Sequence, residues 1–171
     1  MTNIIFKDQN RVLALSALFA WGMLLTAYFY MELFLGLKPC ILCQMQRICV
    51  AIISVIAVIG FLHKTRTHNW FMTYISLCIS FGCLGSALAI RQLYLQSLPA
   101  HLAPSCGPDI SYLIETLPLI DLLISAIQGD GNCAEIIWQF LGISIPGWVL
   151  ISLIGLSTYL SISLKKLKTS L

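Results

Sequence analysis

Pro39-Cys40-Ile41-Leu42-Cys43-Gln44-Met45-Gln46-Arg47 decides the reading of this chain. Two cysteines three positions apart follow a proline, at the point where a short polar-edged turn gives way to a long apolar run. Proline suits the first helical position, so both thiols are expected in the opening turn and a half of a helix. The unpaired backbone N–H groups and the positive dipole end found there favour thiolate over thiol. Arg47 stands four residues past Cys43, hence on the same helical face, and adds a permanent positive charge. A dithiol with a stabilised thiolate at the edge of an apolar span reads as a redox pair.

The surrounding composition says what kind of protein carries this pair. Of 171 residues, 58% are hydrophobic and 10% charged, with mean hydropathy +0.89. A soluble domain of this size carries about 25% charged residues, so the chain reads as an integral membrane protein. A net charge of +3 is too small to suggest nucleic acid. Seven cysteines are many for a reducing compartment, which points to thiols used in an oxidising one, or to a mixture of used and merely packed thiols.

Working outward, four apolar runs are long enough to span a bilayer, at residues 12–31, 41–62, 70–90 and 143–164. The first is too long for the apolar core of a signal peptide, about 7–15 residues, and no small-residue cleavage site follows it, so it is expected to be retained. Loops are expected at 32–40 and 91–142 on one side, and a short basic loop at 63–69 on the other. Lys7, Arg11, Lys64, Arg66, Lys165, Lys166 and Lys168 all fall on the side of the termini, which the positive-inside rule makes cytoplasmic. Six acids (Glu32, Asp109, Glu115, Asp121, Asp130 and Glu135) then face outward, as do Cys40, Cys106 and Cys133. The expected fold is an all-α membrane protein forming one domain, a four-helix transmembrane bundle with a long outer loop. Within that loop, residues 111–128 read as a short helix in the membrane interface or as an ordinary loop packed on the bundle.

Cys106 and Cys133 lie among turn formers, in Pro104-Ser105-Cys106-Gly107-Pro108 and Gly129-Asp130-Gly131-Asn132-Cys133, and are expected to be exposed and reachable by a protein partner. In an oxidising compartment they would most simply pair with each other, either as a structural staple or as the outer half of a relay with Cys40 and Cys43. A metal site is the competitor, but zinc sites use two close-spaced cysteine pairs and only one close pair is present. Arg47 is either an interfacial anchor or the group that holds a thiolate and the oxygen of an electron acceptor. Arg91 and Gln92, at the end of the third span, line the same pocket or mark the interface. Cys49, Cys78 and Cys83 are expected to be packing residues, and Trp21 a helix-contact residue away from the aromatic belts.

Together these residues resemble the DsbB family of bacterial inner-membrane disulfide-forming oxidoreductases. The resemblance runs through Pro39-Cys40-Ile41-Leu42-Cys43 with Gln46-Arg47, then Arg91-Gln92-Leu93-Tyr94-Leu95-Gln96, Cys106, and Gly131-Asn132-Cys133-Ala134-Glu135. It continues with Trp138, Phe140-Leu141-Gly142, Pro146 and Trp148. It implies a multi-pass protein that reoxidises a periplasmic thioredoxin-fold, DsbA-like partner and passes the electrons to membrane quinone, ubiquinone or menaquinone. It further implies a Cys106–Cys133 disulfide attacked by the partner at Cys106, a second attack by Cys133 on Cys40, and a Cys43 thiolate beside Arg47 facing the quinone, with Gln92 near it. Such a family is known to keep the periplasm oxidising through the DsbA–DsbB–quinone route. Gln46 stands where some members carry an acid and Gln92 where some carry histidine. A DsbI-type relative serving a dedicated partner shares these features. The vitamin K epoxide reductase-like family also couples a helical CxxC to quinone, but its cysteines fall in another order. The alternative of a different class is a non-enzymatic membrane protein with structural disulfides or a cysteine metal site.

Overall fold

The computed structural model describes residues 2–63, 68–99 and 131–169, together with Pro118, Ile120, Asp121, Ile124 and Gly129. Four long helices dominate it: α1 (Thr2–Leu25), α2 (Ile41–Leu62), α3 (His68–Ser97) and α5 (Ile145–Thr169), with the single turn α4 (Gly131–Ala134) before the last. Each long helix holds a stretch apolar enough to cross a membrane. Large apolar side chains such as Leu18, Leu62 and Ile162 point outward, an arrangement stable in lipid and costly in water. The expected all-α four-span bundle is the fold observed. Residues 111–117, and most of 118–128, where an interfacial helix was expected, lie outside the described residues.

The core is built where the helices approach closely. Leu13, Ala17 and Ala20 of α1 meet Ile53 and Ala57 of α2, Phe71, Ile75 and Cys78 of α3, and Leu153 and Leu160 of α5. Small residues set the spacing, because lipid gives no hydrophobic drive between helices and close van der Waals contact must do the work. A Cβ on Gly85 of α3 would come within 2.8 Å of Leu153 Cδ1 and 3.3 Å of Cys49 Cβ. Cys49 and Cys78 are buried as expected, but Cys83 and Trp21 are exposed on outward helix faces. Helix α2 packs on α1 and α3, and α3 on α5, whereas α1 and α5 scarcely touch. The bundle is therefore open along one side.

Two helices run further than their uncharged stretches. Helix α1 continues as a π-helical segment, Thr26–Phe34, which carries Glu32 into the bundle. The ladder widens where Thr26 Oγ1 donates to the Gly22 carbonyl at 2.8 Å, and it closes with Gly36 at φ 66°. Helix α3 runs on past Arg91 to Ser97 because its polar side chains turn inward and find partners there. Gln92 is 3% exposed, and Gln96 accepts a hydrogen bond from Ser144 Oγ at 2.8 Å.

Ahead of α5, β1 (Gln139–Phe140) and β2 (Ile143–Ser144) form a two-residue hairpin, with Leu141 at φ 53° and Gly142 at φ 78°. Trp148 Nε1 donates to the Phe140 carbonyl at 3.2 Å, and the rings of Trp138, Phe140 and Trp148 follow one another at about 6 Å. This aromatic group stands at the cysteine end of the open side.

Candidate functional site

Cys40 is the N-cap of α2, with φ −74° and ψ 170°, and its carbonyl accepts from the Gln44 amide at 3.0 Å. Pro39 thus precedes the cap, two positions before the first helical residue, Ile41. Cys43 lies one turn in, and the two sulfurs are 3.3 Å apart. Both thiols sit where the free N–H groups of the first turn add positive potential.

Cys133 completes a trio. It was expected to be exposed, but it is fully buried against Cys40, Ile41, Leu42 and Leu95. The turn before it explains why. Gly129, at φ 73°, lies so close to α3 that a Cβ there would come within 2.5 Å of Leu95 Cδ1 and 3.2 Å of Leu42 Cδ1. Only glycine supplies both the backbone angle and the space, and the short helix α4 then points Cys133 inward. The Cys40 thiol is pushed well above its ordinary range, first by its hydrogen bond with Cys133, then by that with Cys43 and by burial. Cys106 lies outside the described residues.

The amide of Gln92 reaches across the pair. Its Nε2 is 3.4 Å from Cys40 Sγ and 3.2 Å from Cys43 Sγ, and its Oε1 accepts from Gln46 Nε2 at 2.8 Å. Oε1 also lies 3.5 Å from Cys43 Sγ. Gln92 faces a small cavity of about 340 Å³ that opens over Cys40 between Lys38, Asn132 and Glu135.

On the other side of Cys43 lies a much larger groove of about 1150 Å³, occupying the open side between α1 and α5. Its walls are almost entirely apolar, with Phe19, Met23, Trp148, Leu156 and Tyr159 along its length. Cys43, Gln46 and Arg47 of α2 line it together, and Ser16, Thr26, Lys38 and Ser152 add further polar groups. Arg47 does not hang free there. Its Nη1 pairs with Glu32 Oε1 at 2.6 Å, and its Nη2 donates to the Ala27 carbonyl in the π-helical segment at 3.2 Å. An arginine in a span is costly unless paired, and here the widened helix supplies both partners.

The structure brings Cys40, Cys43, Cys133, Arg47 and Gln92 together. It adds two residues that the sequence reading did not place in the site, Glu32 and the inward-facing Gln46. Glu32 carried a usable signal, since it is the acid that directly follows the first span. Its pairing with a residue fifteen positions on was not visible. Arg91 lies over the Tyr94 ring at 5.5 Å.

A family model described as Disulfide bond formation protein DsbB matches residues 9–162. Curated proteins named "Disulfide bond formation protein B" are similar over most of their length. One from Marinobacter nauticus is 44% identical over 128 residues, 75% of this chain and 76% of the relative. One from Hahella chejuensis is 38% identical over 147 residues, 85% and 88% of the two chains. A third, from Xanthomonas oryzae pv. oryzae, is 34% identical over 167 residues, 97% of each.

Proposed function

The chain belongs to the DsbB family of disulfide bond formation proteins, and from that premise we propose that it takes electrons from a periplasmic DsbA-like dithiol protein and passes them, through two cysteine pairs, to membrane quinone. It is a multi-pass membrane protein and a disulfide-forming oxidoreductase. We place it in the bacterial inner membrane, with both termini cytoplasmic and Cys40, Cys106 and Cys133 on the periplasmic side, following the distribution of basic residues.

The observation that carries this reading is the position of Cys43 between two environments. On one side it meets a protein thiol through Cys40 and Cys133. On the other it borders an apolar groove open to lipid. A water-soluble acceptor has no use for such a groove, whereas a lipid-soluble one reaches it from the bilayer. The donor set fits a quinone: Arg47 and Gln46 line the groove with Cys43, and its largely apolar walls suit a prenyl tail. When bound, quinone accepts two electrons and two protons.

The chain's own steps follow by thiol–disulfide exchange. The partner's thiolate attacks Cys106 of the Cys106–Cys133 disulfide, forming a mixed disulfide and releasing Cys133. Cys133 attacks Cys40 Sγ, the sulfur it already touches, and Cys43 leaves as thiolate with Arg47 nearby. The partner's second thiol resolves the mixed disulfide, so the partner departs oxidised and Cys106 is free. Cys106 then attacks Cys133, restoring the outer disulfide and releasing Cys40. The Cys40–Cys43 disulfide re-forms as the pair gives up two electrons and two protons. Because Cys133 is buried, Cys106 is the sulfur left for a bulky partner to attack.

Substituting Cys106→Ser tests the inner exchange. With Cys133 left as a thiol beside an intact Cys40–Cys43 disulfide, Cys133 should attack Cys40 and release Cys43, so peptide mass mapping should find a Cys40–Cys133 bond and a Cys43 open to alkylation. A Cys106→Ser protein that never forms a Cys40–Cys133 disulfide would refute the sequence of attacks.

A further inference from the structure

The two glutamines behind the dithiol have no part in the exchange steps above, yet both are almost completely buried, Gln46 at 2% and Gln92 at 3% exposed. A buried carboxamide must satisfy two donors and an acceptor, or it costs about 1–3 kcal/mol per group left over. Here the hydrogen bonds fix the orientation of the Gln92 amide. Gln46 Nε2 needs an acceptor and takes Gln92 Oε1 at 2.8 Å. That fixes which end of the Gln92 amide faces α2. Its two N–H bonds are left with two sulfurs in range, Cys40 at 3.4 Å and Cys43 at 3.2 Å. Reversing the Gln92 amide would set its N–H₂ against the N–H₂ of Gln46.

We propose that Gln92 is the hydrogen-bond donor that holds the Cys40–Cys43 pair in its reduced, anionic form, and that Gln46 is the positioning residue that aims it. This rests on the reading of that pair as redox-active. The chemistry follows from the difference between the two oxidation states. A disulfide sulfur is a weak acceptor, whereas a thiolate is a strong one, and hydrogen bonds to charged acceptors are roughly twice as strong as neutral ones. The burial of both glutamines keeps water from competing for their amides. Two N–H groups aimed at the sulfurs therefore stabilise dithiol over disulfide and make the pair a stronger oxidant. In the proposed relay a stronger inner oxidant draws electrons from Cys133 more readily. The amide also serves both sulfurs in turn, because it lies within reach of Cys43 when that sulfur leaves and of Cys40 when Cys106 displaces it.

The test is the equilibrium of the inner pair with a glutathione buffer, in quinone-free detergent, in protein carrying Cys106→Ser and Cys133→Ser. Alkylation and mass mapping then read the Cys40–Cys43 disulfide alone. Gln92→Met keeps the length and removes both donors. It should move the equilibrium toward disulfide by about tenfold, equal to about 30 mV for a two-electron couple. Gln46→Met, which leaves the donors but releases their aim, should move it in the same direction by less. Gln92→His, which keeps one N–H, should recover part of the change. No shift in either methionine variant, or a shift toward dithiol, would overturn the proposal. Quinol formation by the unsubstituted chain is measured beside it. Quinol without the glutathione shift refutes the role of the glutamines and leaves the reaction standing. The shift without quinol supports the glutamines and refutes the quinone reading.

Discussion

Arg47 and Glu32 offer the sharpest energetic prediction. Their Nη1–Oε1 distance is 2.6 Å, and the two side chains are 23% and 22% exposed, so solvent screens the pair only in part. A hydrogen bond to a charged group contributes about 1.5–3 kcal/mol net. Arg47→Met keeps most of the apolar stem but strands the Glu32 carboxylate beside the groove and leaves the Ala27 carbonyl without this donor. Breaking a fully buried pair costs about 3–5 kcal/mol, and partial exposure lowers that, so about 2–4 kcal/mol is expected here. Glu32→Gln keeps the shape and one acceptor, and should cost about 1–2 kcal/mol. Because each variant removes the same contact, the double variant should be more stable than the sum by about 1.5–3 kcal/mol. The assay is reversible unfolding in mixed micelles with increasing dodecyl sulfate, followed by far-ultraviolet dichroism for the four proteins of the cycle. A coupling below about 0.5 kcal/mol, the range of independent sites, would refute the reasoning and return Arg47 to a role aimed wholly at the groove.

Other predictions rest on single close contacts. Gly85→Val should lower the unfolding midpoint by the overpacking cost of about 1–3 kcal/mol, since even its Cβ meets Leu153 and Cys49; an unchanged midpoint would mean α3 and α5 are not held at this spacing. Gly155 lines the groove with open space around it, so Gly155→Phe should raise the KM for quinone about tenfold, lost apolar contacts of this kind being worth about 1–3 kcal/mol, while partner thiol exchange continues. An unaltered KM would place the quinone elsewhere. Trp148→Phe retains the ring and loses the bond to the Phe140 carbonyl, which should cost about 0.5–1.5 kcal/mol in the same unfolding assay.

The spans were legible because a bilayer imposes a length and a composition, and four long apolar runs satisfy both. What charge alone misplaced were the helix ends. Glu32 looks like a loop residue until Arg47 is seen to neutralise it, and Gln92 reads equally as a pocket residue or an interface marker until Gln46 and the sulfurs are seen to satisfy it. Both corrections are long-range pairings, which no local pattern reports. The cysteine pair was legible from its spacing and its place at a helix start, but the burial of Cys133 was not. Its turn-forming neighbours suggested exposure, and only the close approach of Gly129 to Leu95 draws it inward. The π-helical segment left no signal beyond Thr26, whose hydroxyl is ordinary in any helix. Trp21 and Cys83 show the limit of reasoning by residue type, since in a bilayer an outward face accepts an indole or a thiol as readily as a helix contact does.

The central claim is that electrons cross from a protein dithiol to a lipid-soluble acceptor through Cys43. The most direct measurement mixes the purified protein and quinone anaerobically with a reduced periplasmic thioredoxin-fold protein, and follows quinol formation optically. Because a DsbA-type disulfide is itself a strong oxidant, with a potential of about −120 mV, net oxidation of that partner requires an acceptor such as quinone. One quinol is expected for each partner disulfide formed, and none with Cys43→Ser. Oxidation of the partner without quinol, or quinol formed equally well by Cys43→Ser, would contradict it.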